Sequence, residues 1–399
     1  MHAANPTRHD VAGTALEAGA VYHRYVTHDP TPQTAHLTVN PSSTARQVFY
    51  SGKWLVYIRD PNYRRQYFCQ RDLFDRQLPN SALNGSPLRG FFGDGVLSSH
   101  GEAWRRQRRL LAPSFRRTFP AEATVRCSRR LFDVLDHHAS VPVDVLHYLK
   151  NLLADAVAVK ATQSVDSGSN IIASLVGSPR TTGEHLSPKE IRDAVNNILF
   201  AGHDTTANAL AFLLCHTAIH QSVQTQARDE VLAATRTAED WDQFDEARLA
   251  ELPYGYSVIK ESLRHEPILS VLSNRRLLRD YSFGPYTIPA GSKMGLHIYD
   301  VHHNPAHYDD PLAFRPERFG KDRPSSDSQL TWIPFAAGPH QCIGIHFALR
   351  KVRVVFALLL YHYEWELPHD SIHFQGLKTV LSPVASARDL RVRFRRRDV

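Results

Sequence analysis

At 399 residues, 42% of them hydrophobic and 22% charged, the chain is long enough to bury a substantial core. Such a make-up excludes a disordered or fibrous protein. Its four cysteines, Cys69, Cys127, Cys215 and Cys342, lie too far apart for a disulfide framework or a CxxC metal ribbon. The net charge of +7 is a mild excess, suited to docking an acidic partner and too small to argue for nucleic acid. No run approaches the ~18 consecutive apolar residues of a membrane helix. The His-, Thr-, Ala- and Pro-rich start lacks the basic-then-apolar order of a signal peptide. As given, the chain is expected to be soluble. Its location is left between the cytoplasm and a membrane reached through an anchor ahead of the first residue.

In chain order, residues 1–45 read as a loose arm, after which two β-rich runs within residues 47–58 flank Ser51-Gly52 and predict a hairpin. Apolar residues at helical spacing predict helices over residues 101–111, 125–138 and 145–160. Glycine, serine and proline break the pattern over residues 165–185. Ser187-Pro188-Lys189-Glu190 then makes a capping box with proline at the first helical position. The helix it opens runs uninterrupted to about residue 220, a length of about 50 Å. Further helix is predicted over 223–234 and 256–265, β-structure over 281–297, and an irregular proline-rich loop over 304–334. A last helix over 344–361 precedes terminal strands, and the arginine-rich tail, 391–397, reads as a solvated edge strand and frayed end. Helices in this number, with β confined to small side sheets, predict a mainly α single domain over residues 46–399.

Chemistry concentrates in Phe335-Ala336-Ala337-Gly338-Pro339-His340-Gln341-Cys342-Ile343-Gly344, followed directly by an apolar helix. A cysteine at a helix N-terminus meets unpaired backbone N–H groups and the positive end of the helix dipole, which favour its thiolate. Gly338 and Gly344 remove side chains where a flat ligand must approach the backbone. A buried structural cysteine after a glycine turn is the plainer alternative.

With Phe, Gly, Cys and Gly at these offsets, the run resembles the haem-binding loop of the cytochrome P450 superfamily. The resemblance implies Cys342 as axial ligand of haem b (iron protoporphyrin IX), with Phe335 and Gly338 shaping the haem bed. His340 stands where that superfamily often has arginine, and either side chain serves a haem propionate. Three other segments resemble the same family. Ala201-Gly202-His203-Asp204-Thr205-Thr206 interrupts the long apolar helix with polar residues that are costly to bury unless a ligand or water uses them. There the resemblance implies that Asp204 and Thr205 deliver protons to dioxygen. A solvated polar patch is the alternative. Glu261-Ser262-Leu263-Arg264 and Pro316-Glu317-Arg318-Phe319 match the pair from which the family forms a buried ionic triad of Glu261, Arg264 and Arg318. Trp104 and Arg108, four apart on one helix face, match a pair used on a propionate; Arg275 is a third candidate, with Arg276 as its alternative. His302, His303 and His307 suggest a metal site only weakly, since no cysteine or spaced carboxylate accompanies them.

The resemblance implies the triangular-prism architecture of that family. One departure is expected: residues 165–185 leave no candidate for the two helices that normally cover the substrate, so the distal roof is shortened, with the join at residues 165–170. The implied function is a monooxygenase that inserts one atom of O2 into an apolar small molecule. Its electrons come from an external donor, an NADPH-dependent reductase or a ferredoxin. The alternative is a haem-binding protein with little coupled turnover because its roof is missing. A monomer without a nucleic-acid partner is expected.

Overall fold

The computed structural model describes residues 45–50, 53–58, 61–70, 72–76, 87–116, 121–162, 186–235, 246–283, 286–320, 330–381 and 384–398. The expected N-terminal arm lies outside these residues apart from Ala45, as does the segment on which the shortened roof was placed.

The helices are α1 (Pro61–Cys69), α2 (Pro87–Phe92), α3 (Gly101–Arg116), α4 (Ala121–His137), α5 (Val145–Thr162), α6 (Pro188–Ile219), α7 (Gln221–Ala234), α8 (Glu246–Ala250), α9 (Pro253–His265), α10 (Ile298–His302) and α11 (Ile345–His362). The 32-residue α6 is the axis of the molecule. Its capping box forms as the sequence predicts: Ser187 Oγ accepts from the Glu190 N–H at 3.2 Å, and the Ser187 N–H donates to Glu190 Oε2 at 2.8 Å. Helix α5 lies along α6, and α7, α9 and α11 pack around its C-terminal half, where residues 206–218 are all buried. By length and composition α6 could cross a membrane, yet 56% of its most apolar stretch is buried inside the molecule. Its apolar residues serve as core here.

Strands β1 (Ala45–Tyr50), β2 (Lys53–Ile58), β3 (Phe74–Arg76), β5 (Val271–Leu277) and β8 (Lys293–His297) form a five-stranded sheet in the order β1-β2-β8-β5-β3. The pair β2–β8 is parallel; the other neighbours are antiparallel. The expected hairpin is present as β1 and β2, with Val48 opposite Leu55. β-structure begins at Val271, ahead of residue 281, where the sequence pattern placed its start. A register shift between Leu272 and Arg275 breaks the period-2 alternation that would have marked this strand.

A three-stranded sheet contains β4 (Val143–Asp144), β9 (Tyr363–Glu366) and β12 (Arg391–Arg396), in the order β4-β12-β9. The arginine-rich tail is therefore the central strand of a sheet, correcting its reading as a solvated edge. Val392 and Phe394 point into the core, and the arginines that alternate with them meet acids: Arg391 with Asp370 at 3.3 Å and Arg393 with Glu366 at 3.0 Å. Alternation of apolar and charged residues is what a half-buried strand requires. The hairpins β6 (Tyr281–Phe283)/β7 (Tyr286–Ile288) and β10 (Thr379–Leu381)/β11 (Ala385–Ala387) complete the small sheets.

Among the described residues, three apolar clusters fill the interior. The largest joins α4 through α9 to α11 and the β9–β12 strands. A second lies under the five-stranded sheet and α1. A third joins Trp104, Leu111 and Phe115 of α3 to Val157 of α5, Ile198 of α6 and Phe347 of α11.

Lys351 on α11 is only 1% exposed, with its Nζ 3.9 Å above the Phe347 ring and no hydrogen-bond partner among the described residues. Burial pushes its pKa down to about 7. The unfolded chain keeps this proton to about pH 10, so it binds more protons than the folded chain between about pH 7 and 10. Stability therefore rises with pH across that window. Lys351→Met is expected to be more stable than the wild type by about 2–4 kcal/mol at pH 7, with a smaller gain at pH 10. Urea unfolding at the two pH values checks this; an equal gain at both would show that the amine is not the cause.

Candidate active site

Ahead of α11 the chain folds back on itself. The Cys342 N–H donates to Phe335 O at 2.9 Å, closing residues 335–342 into a loop. Ala336 and Gly338 take positive φ, 58° and 68°, and Gly338–His340 makes a single 3-10 turn. Glycine at 338 is required for space as well as conformation, since a Cβ there would meet Phe68 O of α1 at 2.9 Å. Phe335 anchors the loop in the main core, its ring 6.2 Å from that of Trp332.

Cys342 is exposed on one side, while protein surrounds it on the others. Burial pushes its thiol pKa up, opposed by the Gly344 backbone N–H and the Arg108 guanidinium, both of which favour the thiolate. In the protein alone burial outweighs these two groups, although the backbone N–H acts in the direction the sequence reading gave it. Coordination to a metal ion reverses the balance, because a ligating thiol loses its proton outright.

Helix α3 docks onto this loop with the face predicted for it. Trp104, 5% exposed, packs over His340 with ring centroids 3.7 Å apart. One turn on, Arg108 Nη2 donates to Gln341 O at 2.6 Å. Arg275 on β5 is buried, its guanidinium 4.7 Å above the ring of Tyr67, the neighbour of the residue that backs Gly338. Arg276 faces outward toward Asp75 at 3.7 Å. Cys342, Phe335, Gly338, His340, Trp104 and Arg108 thus share one junction, with Arg275 approaching it across α1.

Helix α6 adds Ile198 to the cluster that holds Trp104, Phe115 and Phe347. Further along α6, Thr205 Oγ1 donates to Ala201 O at 2.6 Å and Thr206 Oγ1 to Gly202 O at 2.9 Å. The Asp204 carboxylate is held by Lys150 of α5, 2.8 Å away. Nothing in the sequence marked Lys150, 54 positions distant.

A second feature missed from sequence is the seam between α6 and residues 91–99. The Asp94 N–H donates to Asp193 Oδ2 and the Leu97 N–H to Asn197 Oδ1, both at 3.0 Å. Asn197 Nδ2 donates to Phe92 O at 2.7 Å. A Cβ at Gly93 or Gly95 would overlap Asp193 or Asn197, so both glycines are needed for the approach. The seam holds Phe92 edge-on to Phe200, ring centroids 4.7 Å apart. Two amide- or acid-bearing residues four apart in an apolar helix, together with a Gly-x-Gly loop, were the available signal.

The triad forms and is buried. Arg264 Nε and Nη2 donate to Glu261 at 2.7 and 2.8 Å, and Arg318 Nε lies 3.4 Å from Glu261 Oε1. His302 belongs to this scaffold: the Ile333 N–H donates to its Nε2 at 2.9 Å, so Nδ1 carries the proton and faces Arg264 O. His303 bonds Tyr299 O, and His307 bonds Arg64. Among the described residues, no three His, Cys, Asp or Glu side chains are grouped to hold a metal ion.

An iron porphyrin makes specific demands: a soft ligand open on one face, a bed without intruding side chains, and donors for two carboxylates. The thiol of Cys342, exposed on one side, and the Trp104, Arg108, His340 and Arg275 side chains are of the kinds such a group needs.

A family model described as "Cytochrome P450" matches residues 159–383. Cytochrome P450 4F5 of Rattus norvegicus is 39% identical over 194 residues, covering 47% of this chain and 35% of that protein. Cytochrome P450 4F11 of Homo sapiens is 38% identical over 186 residues, 45% of this chain and 34% of its own length. Leukotriene-B4 omega-hydroxylase 3 of Mus musculus is 38% identical over 193 residues, 47% of this chain and 36% of the relative. The match spans about a third of the length of these relatives. Among solved structures, the heme domain of a cytochrome P450DA mutant superposes with a TM-score of 0.76 at 21% identity, covering 89% of this chain and 90% of that one. The mainly helical architecture with small sheets is thus the architecture of such a heme domain.

Proposed function

The chain belongs to the cytochrome P450 family, and from that premise we propose that it is a haem-dependent monooxygenase inserting one atom of O2 into an apolar small molecule. The observation that carries this reading is the Cys342 thiol, open on one face at the head of α11, beside the packed Trp104–His340 pair and Arg108. Cys342 would ligate the iron of the cofactor, which we take to be haem b. Trp104, Arg108, Arg275 and His340 would hold its carboxylates, and Phe335 and Gly338 would shape its site. When bound, the haem supplies dioxygen activation, and thiolate ligation favours O–O cleavage.

The chain's own residues do the rest. Trp104 and Arg108 fix the orientation of the cofactor through charge-assisted hydrogen bonds. Asp204 passes a proton to the Thr205 hydroxyl, which breaks its bond to Ala201 O to hand a proton onward. The seam from Asp193 and Asn197 holds residues 91–99 in place as a wall that limits water. Electrons come from an external donor, an NADPH-dependent reductase or a ferredoxin. The protein acts as a monomer and takes no nucleic-acid partner, in keeping with tail arginines paired to Glu366 and Asp370.

The likeness to leukotriene-B4 omega-hydroxylase 3 makes leukotriene B4, an apolar chain ending in a carboxylate, the first substrate to offer. With NADPH and a purified reductase, oxygenated product is expected to form. Asp204→Asn is expected to lower kcat by about a hundredfold with KM changed less than about twofold, as for loss of an acid–base group. Wild-type kcat in Asp204→Asn would refute the relay, and haem-loaded protein that oxygenates no apolar acid or hydrocarbon offered would refute the monooxygenase reading.

A further inference from the structure

Away from the cysteine loop, two nucleophilic side chains stand together where α4 packs on α11. The helices meet at both ends of their shared length. Ala123 joins the cluster that holds Phe347, and the Phe132 ring lies 5.2 Å from that of His362. Cys127 and Lys351 fall between those contacts, one on each helix. They are close enough to act on each other electrostatically: the Lys351 ammonium favours the Cys127 thiolate, and the thiolate favours the ammonium.

The pair divides between its members what an oxidative bond requires. Cys127 is half-buried, so a small oxidant reaches its sulfur, whereas Cys215 is fully buried and Cys342 belongs to the candidate active site. Lys351 is sealed in the interior, and its Nζ has no hydrogen-bond partner among the described residues. Burial holds its pKa down to about 7, so much of it is free base at neutral pH, with a nucleophilic lone pair. The flexible four-carbon stem of a lysine lets Nζ leave the Phe347 ring, 3.9 Å away, without any shift of the helix. Burial also raises the Cys127 thiol pKa, so the sulfur needs a base, and the neighbouring amine is one. Of the charged groups around the thiol, Asp155 of α5 opposes the thiolate, while Arg126 and Arg130 of α4 favour it.

We propose that Cys127 and Lys351 form a modification site, joined by hydrogen peroxide through a sulfur–nitrogen bond that fastens α4 to α11. The amine takes the thiol proton, and the sulfur attacks one peroxide oxygen. The O–O bond breaks; the departing hydroxide takes the proton back from the ammonium and leaves as water. Cys127 is then a sulfenic acid, a species that condenses with nitrogen nucleophiles. The freed amine attacks its sulfur, the S–O bond breaks, and a second water leaves. One thiol, one amine and one peroxide thus give a sulfenamide and two waters, with sulfur oxidised by two electrons and peroxide reduced by the same two. Two equivalents of a small thiol, leaving as their disulfide, restore both side chains. Because α11 opens just after the Cys342 loop, the bond ties oxidant exposure to the helix that carries the candidate active site. Nothing in it depends on the monooxygenase reading.

Mass spectrometry of the purified full-length protein after brief treatment with hydrogen peroxide tests the bond. Cleavage after arginine releases Cys127–Arg129 and Lys351–Arg353 as separate peptides. The expected product is these two peptides joined, lighter than their sum by two hydrogen atoms. It disappears on incubation with dithiothreitol and is absent from Cys127→Ser and from Lys351→Met. Cys127 carried on to the sulfinic acid with Lys351 untouched overturns the proposal, because the oxidant then reaches the sulfur and the amine does not. A Cys127 thiol that peroxide leaves unchanged overturns it equally, as does Cys127 joined to any other side chain.

Discussion

Glu261→Gln is expected to destabilise the fold by about 3–5 kcal/mol, because it leaves two arginines without their shared counter-charge in the interior. Glu261 and Arg264 are fully buried, and Arg318 meets the same carboxylate at 3.4 Å. The carboxylate also accepts the Arg315 N–H at 2.8 Å, while Arg264 binds His302 O and Pro311 O at 2.9 and 2.8 Å. One charged cluster thus ties α9 to the irregular chain of residues 302–318. From α9 the connection reaches the cysteine loop: Trp332 Nε1 donates to Lys260 O at 3.1 Å, and His302 accepts from Ile333. Urea unfolding measures the loss, and a cost below about 1 kcal/mol would show that the cluster is dispensable. Replacing Glu261 and Arg264 together by methionine should cost less than the two single changes added, since the pair removes its own unmatched charges.

Cys342→Ala is expected to act on chemistry and leave the fold nearly intact. The side chain is small and exposed on one side, and the loop is closed by its backbone N–H, which alanine keeps. Thermal stability should change by no more than about 1 kcal/mol. Product formation should fall by more than the ~10–100-fold that a residue supporting a metal ligand costs, because the ligand itself is gone. Coincident loss of folding would assign the cysteine to packing. Unchanged turnover would remove it from the site altogether.

Much of this was legible in the sequence, for identifiable reasons. The capping box at Ser187 and Glu190 and the hairpin of β1 and β2 depend on neighbours in the chain, and both form as predicted. Trp104 and Arg108 were placed on one face by helix periodicity alone, and that face docks on His340 and Gln341. The triad was legible only through family resemblance, since a Glu and an Arg three apart carry little information by themselves. What escaped depends on distant partners. A lysine on an amphipathic helix gives no sign that it meets Asp204. Strand β5 was hidden by its irregular register, and β12 looked like an edge because its arginines outnumber its buried residues. The backbone at the head of α11 favours the Cys342 thiolate as read from the sequence, whereas the burial that opposes it is a property of the fold and cannot be read from a motif.

The most direct test of the central claim is the absorption spectrum of the haem-reconstituted, reduced wild-type protein with carbon monoxide, taken beside Cys342→Ala. A long-wavelength Soret band characteristic of thiolate ligation, present in the wild type and absent from the variant, is the predicted result. Haem bound without that band, or the same band in both proteins, would contradict Cys342 as the axial ligand.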